Sequence, residues 1–326
     1  MQQAQKEFLT RYIKSEARRL GFFACGMAKA KAVNNETALQ IQQWLKQQGH
    51  AGMHYMANHI DLRLDPRLLM PGTQTIVSVA MNYTPRQRMK HRYQLAAYAY
   101  GKDYHDLIRQ RLQQLLVSIQ QQIPEAEGRV CCDTAPILER FWAQQAGIGW
   151  TGRNNQLIIP PDNRPPTTDH RQGGGSMFFL GELLLNIPLL YDNPMPDRCG
   201  TCRRCIDACP TKALDNNVFM AEHCLSYQLI ENRGTLSTEA QQHMGNTIYG
   251  CDRCQHVCPW NRFAVPTEEE SLQPSEQLLN MTDSQWEQLD EETYRELFRG
   301  SAVKRVKYAG LKRNINAAAE EKDRPT

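Results

Sequence analysis

The sequence predicts an α+β fold in three parts: a mixed helix-and-strand segment over 1–190, a compact cysteine-rich module over 191–265, and a helical C-terminal segment over 266–326. Three observations carry this. Helical apolar spacing alternates with short apolar runs through the first part, eight cysteines fall between Cys199 and Cys258, and from Glu268 the chain turns charged and helix-favouring. At 326 residues there is room for one large domain and a smaller one. Hydrophobic (41%) and charged (22%) fractions are ordinary for a globular chain, and a net charge of +3 does not by itself announce a nucleic-acid partner.

In chain order, Phe8, Leu9, Tyr12, Ile13, Ala17 and Leu20 recur at helical spacing over 5–20, and Gly21 is a natural stop. Residues 22–27 form a short apolar strand in which Cys25 reads as a small buried residue. A second helix covers 36–48 and ends at Gly49. Residues 52–66 read as mixed and loop-like; His50, His54 and His59 lack the spacing of a tetrahedral metal site and are expected at the surface. Pro71-Gly72 marks a turn before a strand at 75–83. The stretch 98–105 (YAYGKDYH) leads into a long helix, 106–122, stopped by Pro124.

A strand at 129–133 precedes a helix at 136–146, which puts Asp133 at the carboxyl end of a strand. Such ends commonly carry catalytic side chains. An N-cap role for Asp133 or Thr134 fits the position equally well. Cys131 and Cys132 read as core residues. Residues 147–152 (GIGWTG) match G-x-G-x-x-G, but they follow a helix and precede a strand, the reverse of a dinucleotide site. No P-loop or metalloprotease helix occurs. Residues 160–175, rich in proline and glycine, form a surface excursion, and the continuous apolar run 177–187 is the centre of a sheet.

The run Cys199-Gly-Thr-Cys202-Arg-Arg-Cys205-Ile-Asp-Ala-Cys209-Pro210 is C-x2-C-x2-C-x3-C-P, in which the fourth cysteine serves a different iron–sulfur cluster from the first three. Cys224 and the echo Cys251-Asp-Arg-Cys254-Gln-His-Val-Cys258-Pro259 supply the remainder. By symmetry Cys258 joins Cys199, Cys202 and Cys205, while Cys209 joins Cys224, Cys251 and Cys254. That gives two [4Fe–4S] clusters. A disulfide framework does not suit a chain this long with no secretory signal, and paired zinc sites come as separated C-x2-C knuckles. No apolar run reaches membrane-spanning length. A reducing cytoplasm is the expected compartment.

Two clusters in one module form an electron wire, so the first part should hold the consumer of electrons. Asp133-Thr134-Ala-Pro136, Glu139-Arg140, the 146–154 turn (AGIGWTGRN), Phe179-Leu180-Gly181-Glu182, the CGTCRRCIDACPTKA run, Cys224-Leu-Ser-Tyr and Cys258-Pro-Trp-Asn261 together resemble the epoxyqueuosine reductase family, from the first helix to about Asn316. The resemblance implies a nitroreductase-like cobalamin domain followed by a bacterial ferredoxin-like domain. The activity it implies is reduction of epoxyqueuosine to queuosine at the tRNA wobble position, the last step of queuosine biosynthesis. It makes Asp133 the proton donor and carries corrin contacts over to Arg63, Tyr104, Asp133, Arg153, Asn154 and Asp252. It also turns the basic run near the C-terminus into expected tRNA contacts: Arg233, Lys304, Arg305, Lys307, Lys312 and Arg313. The implied partners are that tRNA and a one-electron donor such as a ferredoxin or flavodoxin, with the enzyme a monomer and no membrane involved.

The sequence departs from the family pattern in three places. Arginine stands at Arg153 where lysine is usual, the 160–175 excursion is longer, and no full HEAT-like repeat follows the C-terminal segment. Three other readings compete. They are a cobalamin-dependent reductase of a small molecule, akin to reductive dehalogenases but without their twin-arginine signal, a non-catalytic electron-transfer protein, and a tRNA-binding structural iron–sulfur protein.

Overall fold

The structure is a computed structural model that describes residues 1–161, 173–214 and 218–322. Most of the expected excursion at 160–175 therefore lies outside the described residues. Helix α1 (Gln3–Arg19) buries Leu9, Ile13 and Ala17, and β1 (Ala24–Lys29) follows. Helix α2 (Asn35–Lys46) begins where the Asn34 side chain accepts the Thr37 amide at 2.8 Å. The segment expected as loop holds two 3-10 turns, His54–Ala57 and Pro66–Leu68, around α3 (Ile60–Leu64). Strands β2 (Thr75–Asn82) and β3 (Gln94–Leu95) lead to α4 (Tyr104–Gln122), capped by Asp103. Then come β4 (Gly128–Cys131), α5 (Glu139–Gln145), the hairpin β5 (Trp150–Thr151) and β6 (Leu157–Ile158), and β7 (Phe178–Leu185).

Strands β1, β2, β7 and β4, in that order, make one sheet, and every pairing is antiparallel. Along β2, Val77, Val79 and Met81 join the core that contains α1 and α4, whereas Ile76 and Ala80 join the core under α5. Both faces are covered. That is why β2 and β7 read as unbroken apolar runs although antiparallel strands usually alternate. Gly26 lets α5 close onto β1: a Cβ there would stand 2.0 Å from the Ala146 carbonyl oxygen.

The cysteine module contributes α6 (Arg204–Asp207), α7 (Leu225–Ile230), α8 (Thr238–His243), β8 (Thr247–Tyr249) and α9 (Arg253–His256). The C-terminal segment contributes α10 (Glu276–Asn280), α11 (Asp283–Glu287), α12 (Glu291–Leu297) and α13 (Lys307–Lys322). These parts do not sit apart. Strand β8 pairs in parallel with β3, and Ile108, Leu229, Trp286 and Ile315 belong to one buried cluster. Among the described residues no helix is long and apolar enough to cross a membrane.

One histidine departs from expectation. His54 and His59 are exposed, but His50 is only 7% exposed. Its ring lies 6.0 Å from that of Trp44, whose indole N–H donates to the Phe219 carbonyl at 2.6 Å and so draws the turn after α2 onto the cysteine module.

Candidate active site and iron–sulfur cages

Past the end of β4 the chain turns sharply. Asp133 takes φ 51°, a left-handed conformation, and its amide donates to Glu139 Oε1 at 2.6 Å. Helix α5 begins only at Glu139, with Leu138 at its N-cap, so Asp133 caps no helix. Its carboxylate points away from the backbone and stays about half exposed (52%). Asp133 Oδ2 lies 2.7 Å from His105 Nε2, and His105 Nδ1 lies 2.5 Å from Asp103 Oδ1. The ring thus bridges two carboxylates. Burial works against a charge on His105, but the bonds to Asp103 and Asp133 outweigh it and push its pKa up to about 9. The same bond holds Asp103 down at about 2. Lys304 Nζ is 3.3 Å from the other Asp103 oxygen.

Charged side chains and stacked rings surround this pair. Tyr104 stacks on His105 (centroids 4.1 Å) and on Phe179 (4.0 Å, planes 4° apart). Burial raises the Glu139 carboxyl to about 7, helped by the nearby Asp133 charge. Behind it Glu182, fully buried on the central strand, is pushed well above the usual carboxylate range by burial and by Glu139. Arg140 reaches the backbone and side-chain oxygens of Asn155. Arg63 donates to the carbonyls of Asn58 (3.2 Å) and Tyr55 (3.3 Å) and feels the charges of Asp133 and Glu139. Arg305 lies over the Tyr55 ring at 5.7 Å and makes a two-pronged pair with Glu231, both bonds 2.8 Å. Arg63, Tyr104, Asp133, Lys304 and Arg305 therefore share one neighbourhood.

The cysteines fall into two sets of four. The two halves of the module fold alike: Cys209 N donates to Ile206 O and Cys258 N to Gln255 O, both at 3.1 Å, after one-turn helices α6 and α9. Burial raises the Cys258 thiol, with Cys199 and Cys202 adding to it, and raises Cys205, with Cys258 and Cys199 adding to it. In the second set burial pushes Cys251 up to about 11, with Cys224 contributing, and Cys224 in turn senses Cys209. Cys254 is raised by burial, then by Cys251 and Cys224, then by Asp252 and, least, by Cys205 of the other set. Among the described residues no three metal-binding side chains converge on a single-ion position. Thiolates around a four-iron cube stand further apart than around one zinc ion, so the donor set fits clusters better than zinc. Cys199, Cys202, Cys205 and Cys258 line a shared cavity. Trp150 Nε1 points at Cys199 Sγ (3.4 Å), and the buried Asn154 Nδ2, with no partner, is a donor that bridging sulfides would satisfy.

The other expected site residues separate. Arg153 donates to Gly200 O at 2.7 Å and, with Asn154, lines the thiol cavity instead of the Asp133 cleft. Asp252 turns to the Ala97 amide (2.7 Å) beneath β3, where burial raises its carboxyl. Gly250, at φ 67°, makes that approach possible: a Cβ there would stand 2.5 Å from the Ala96 Cβ. Lys307 and Arg233 are exposed. Lys312 and Arg313 differ from the expectation of phosphate contacts. Lys312 Nζ donates to the carbonyls of Glu287 and Leu289, and Arg313 to those of Gln228, Asn232 and Gly234. Desolvating those carbonyls would leave them unpaired, so the two cations are used in joining α13 to α7 and to the end of α11.

Comparison with known proteins accounts for both features. The family model described as "Epoxyqueuosine reductase QueG, DUF1730" matches residues 63–134, and a "4Fe-4S double cluster binding domain" matches 198–261. The epoxyqueuosine reductase of Cyclobacterium marinum is 42% identical over 317 residues, covering 96% of this chain and 97% of that one. The chain belongs to the epoxyqueuosine reductase family. The Escherichia coli epoxyqueuosine reductase is 39% identical, covering 95% of this chain and 80% of its own. A crystal structure of an epoxyqueuosine reductase with an epoxyqueuosine-modified tRNA-Tyr stem loop superimposes with a TM-score of 0.85 at 26% identity, over 98% of this chain and 83% of that one.

Of the residues around Asp133 in this reductase, His105 carried no expected role, and Glu139 and Arg140 stood in the sequence only as a family motif without one. The signal for His105 was present as Asp103-Tyr-His105, an N-cap carboxylate two residues before a histidine in the first turn of a helix. Such a pair brings ring and carboxylate together locally, but only the fold supplies Asp133 across 28 residues.

Proposed function

We propose that the protein reduces epoxyqueuosine to queuosine at the wobble position of tRNA, with electrons entering through two [4Fe–4S] clusters and reaching cobalamin in the Asp133 cleft. The observation that carries it is the half-exposed Asp133 carboxylate held on His105 in the same fold as two groups of four cysteines. The cleft's donor set suits a corrin: Arg63 and Arg140 carry N–H groups for the carbonyl oxygens of its amide arms, and Tyr55 adds a hydroxyl. Bound cobalamin would supply a strongly reducing cobalt centre, recharged by single electrons from the clusters. We assign 1–190 to a nitroreductase-like catalytic part, 191–265 to a ferredoxin-like cluster part, and 266–326 to a helical segment built into the common core.

The chain's own residues manage protons and position. Removing an epoxide oxygen as water consumes a pair of electrons and a pair of protons and leaves a double bond. Near neutral pH His105 is an imidazolium that donates to Asp133, so the acid loaded for transfer is the pair. Asp133 hands that proton to the departing oxygen, and His105 restores it. Glu139 fixes the Asp133 backbone through its amide. A related structure from Bacillus subtilis, TM-score 0.83 at 26% identity, has its catalytic aspartate loop swung out of the active site, which supports a mobile acid on this turn. Lys304, Arg305, Lys307 and Arg233 are the proposed phosphate contacts, and the wobble base must leave its stack to reach Asp133.

The test is anaerobic reconstitution with iron, sulfide and cobalamin, chemical reduction, and analysis of tRNA nucleosides. Queuosine should accumulate at the expense of epoxyqueuosine. No conversion by protein that holds both clusters and corrin would sink the reading.

A further inference from the structure

Beside the first cage, and separate from the Asp133 cleft, lies a second opening with no place in the chemistry above. It is a cavity of about 530 Å³ that reaches Cys258 itself and carries Arg88, Arg204, Arg262 and His256 on its wall, with no carboxylate among the described residues that line it. All four are exposed. Among the described residues none of the three arginines forms a salt bridge. Arg88 donates to His256 Nε2 at 2.9 Å, and Arg262 lies over the Phe263 ring at 4.6 Å. Asp252 acts on Arg88 and His256 from behind, and among the described residues no acidic side chain pairs with the exposed face of the three guanidinium groups, which leaves that face open to an acidic partner.

The rings Tyr104, Phe179 and Tyr83 (centroids 4.0 and 4.5 Å apart) stand between this opening and Asp133. RNA placed with its wobble base at Asp133 has Lys304 and Arg305 beside it and no need of this wall.

We propose that this arginine socket is the docking surface for a small acidic one-electron carrier protein, flavin- or iron–sulfur-bearing, which delivers its electrons at the cage of Cys199, Cys202, Cys205 and Cys258. Each encounter oxidises the carrier by one electron and reduces that cluster by one, so a turnover takes a pair of encounters. The carrier's acidic rim pairs with Arg88, Arg204 and Arg262 and steers the encounter, and the apolar floor of Met177, Pro259 and Ala264 takes its contact edge. The inference rests on the proposed reading in that the cage holds a cluster.

The experiment uses cluster-loaded holoenzyme and a reduced flavodoxin as probe. Its affinity for the wild type, for Arg88→Glu/Arg262→Glu and for Arg88→Gln/Arg262→Gln is measured at low and high salt, with cluster bleaching followed on mixing. The charge-reversed protein should bind flavodoxin about tenfold or more weakly, the neutral pair should lie between, and the salt dependence should flatten. Dithionite, which needs no docking, should bleach the clusters of all three. Equal flavodoxin affinity across the three would overturn the proposal. So would a parallel loss of affinity for a tRNA anticodon stem loop, which would assign the socket to RNA. If dithionite-reduced wild type bleaches yet makes no queuosine, the proposed function fails while the docking result stands on its own.

Discussion

Asp133 Oδ2 and His105 Nε2 stand 2.7 Å apart, and the far side of the His105 ring is held 2.5 Å from Asp103. An imidazole between two carboxylates is a stronger base than a free one, so the proton that serves Asp133 is stored on its neighbour. His105 should titrate near 9 by NMR of the ring in the folded protein, against about 6.5 when unfolded. Because the folded value is the higher, the stabilisation is complete below the unfolded pKa and is lost as pH rises through about 9. Turnover should fall over the same upper range. A ring that titrates below 6.5 would remove His105 as the proton store.

Glu139 behaves in the opposite chemical sense but with the same sign. Its carboxyl is raised to about 7 by burial, so the folded state resists its ionisation. Glu139→Gln should therefore gain stability relative to wild type as pH climbs from about 4.5 to about 7, measured by thermal unfolding, with the gain levelling off above that and absent at about pH 4. A difference independent of pH would show that Glu139 ionises freely.

Crossed ligation makes a prediction that separates it from the uncrossed arrangement. Cys205 and Cys258 lie in one set, so Cys205→Ser/Cys258→Ser should lose one cluster and keep about half the iron and sulfide. If each run held its own cluster, the same double variant would lose nearly all of both. Iron analysis with EPR of the reduced protein reads the difference.

Arg313 and Lys304 should respond differently to truncation. Arg313 donates to three backbone carbonyls of the α7 region and Lys304 is exposed beside Asp103. Arg313→Ala should destabilise the fold by about 2–3 kcal/mol and leave tRNA affinity of the folded protein near wild type. Lys304→Ala should weaken tRNA binding and reduce its log–log salt slope by about one, with little change in melting temperature.

What could be read from the sequence depended on whether the signal was local. The cysteine spacings, the apolar run of β7 and the periodic helix α4 each declare themselves within a few turns of chain. Asp133 was placed at the right strand end, but its alternative as a helix cap fell only when α5 was found to begin at Glu139. The His105 bridge, the burial of His50 under Trp44, and the diversion of Arg313 to carbonyls are contacts across long sequence separations, which no local pattern encodes. Arg153 and Asn154 show the same limit. Their turn was legible, but its pairing with the Cys199 cage instead of the Asp133 cleft was set by how the β5–β6 hairpin packs. The short helices α11 and α12 pack on α13, and α13 packs on α7, α8 and β8, contacts across long separations that their own patterns do not encode.

In the proposed mechanism Asp133 passes the proton to the leaving oxygen. Single-turnover conversion of epoxyqueuosine tRNA by reduced Asp133→Asn holoenzyme, with cobalamin occupancy checked from its visible spectrum, tests it most directly. The account predicts full occupancy and a rate lower by about 10²–10⁴, the range expected when a positioned acid is removed. A variant that binds cobalamin and converts the tRNA at the wild-type rate would contradict it.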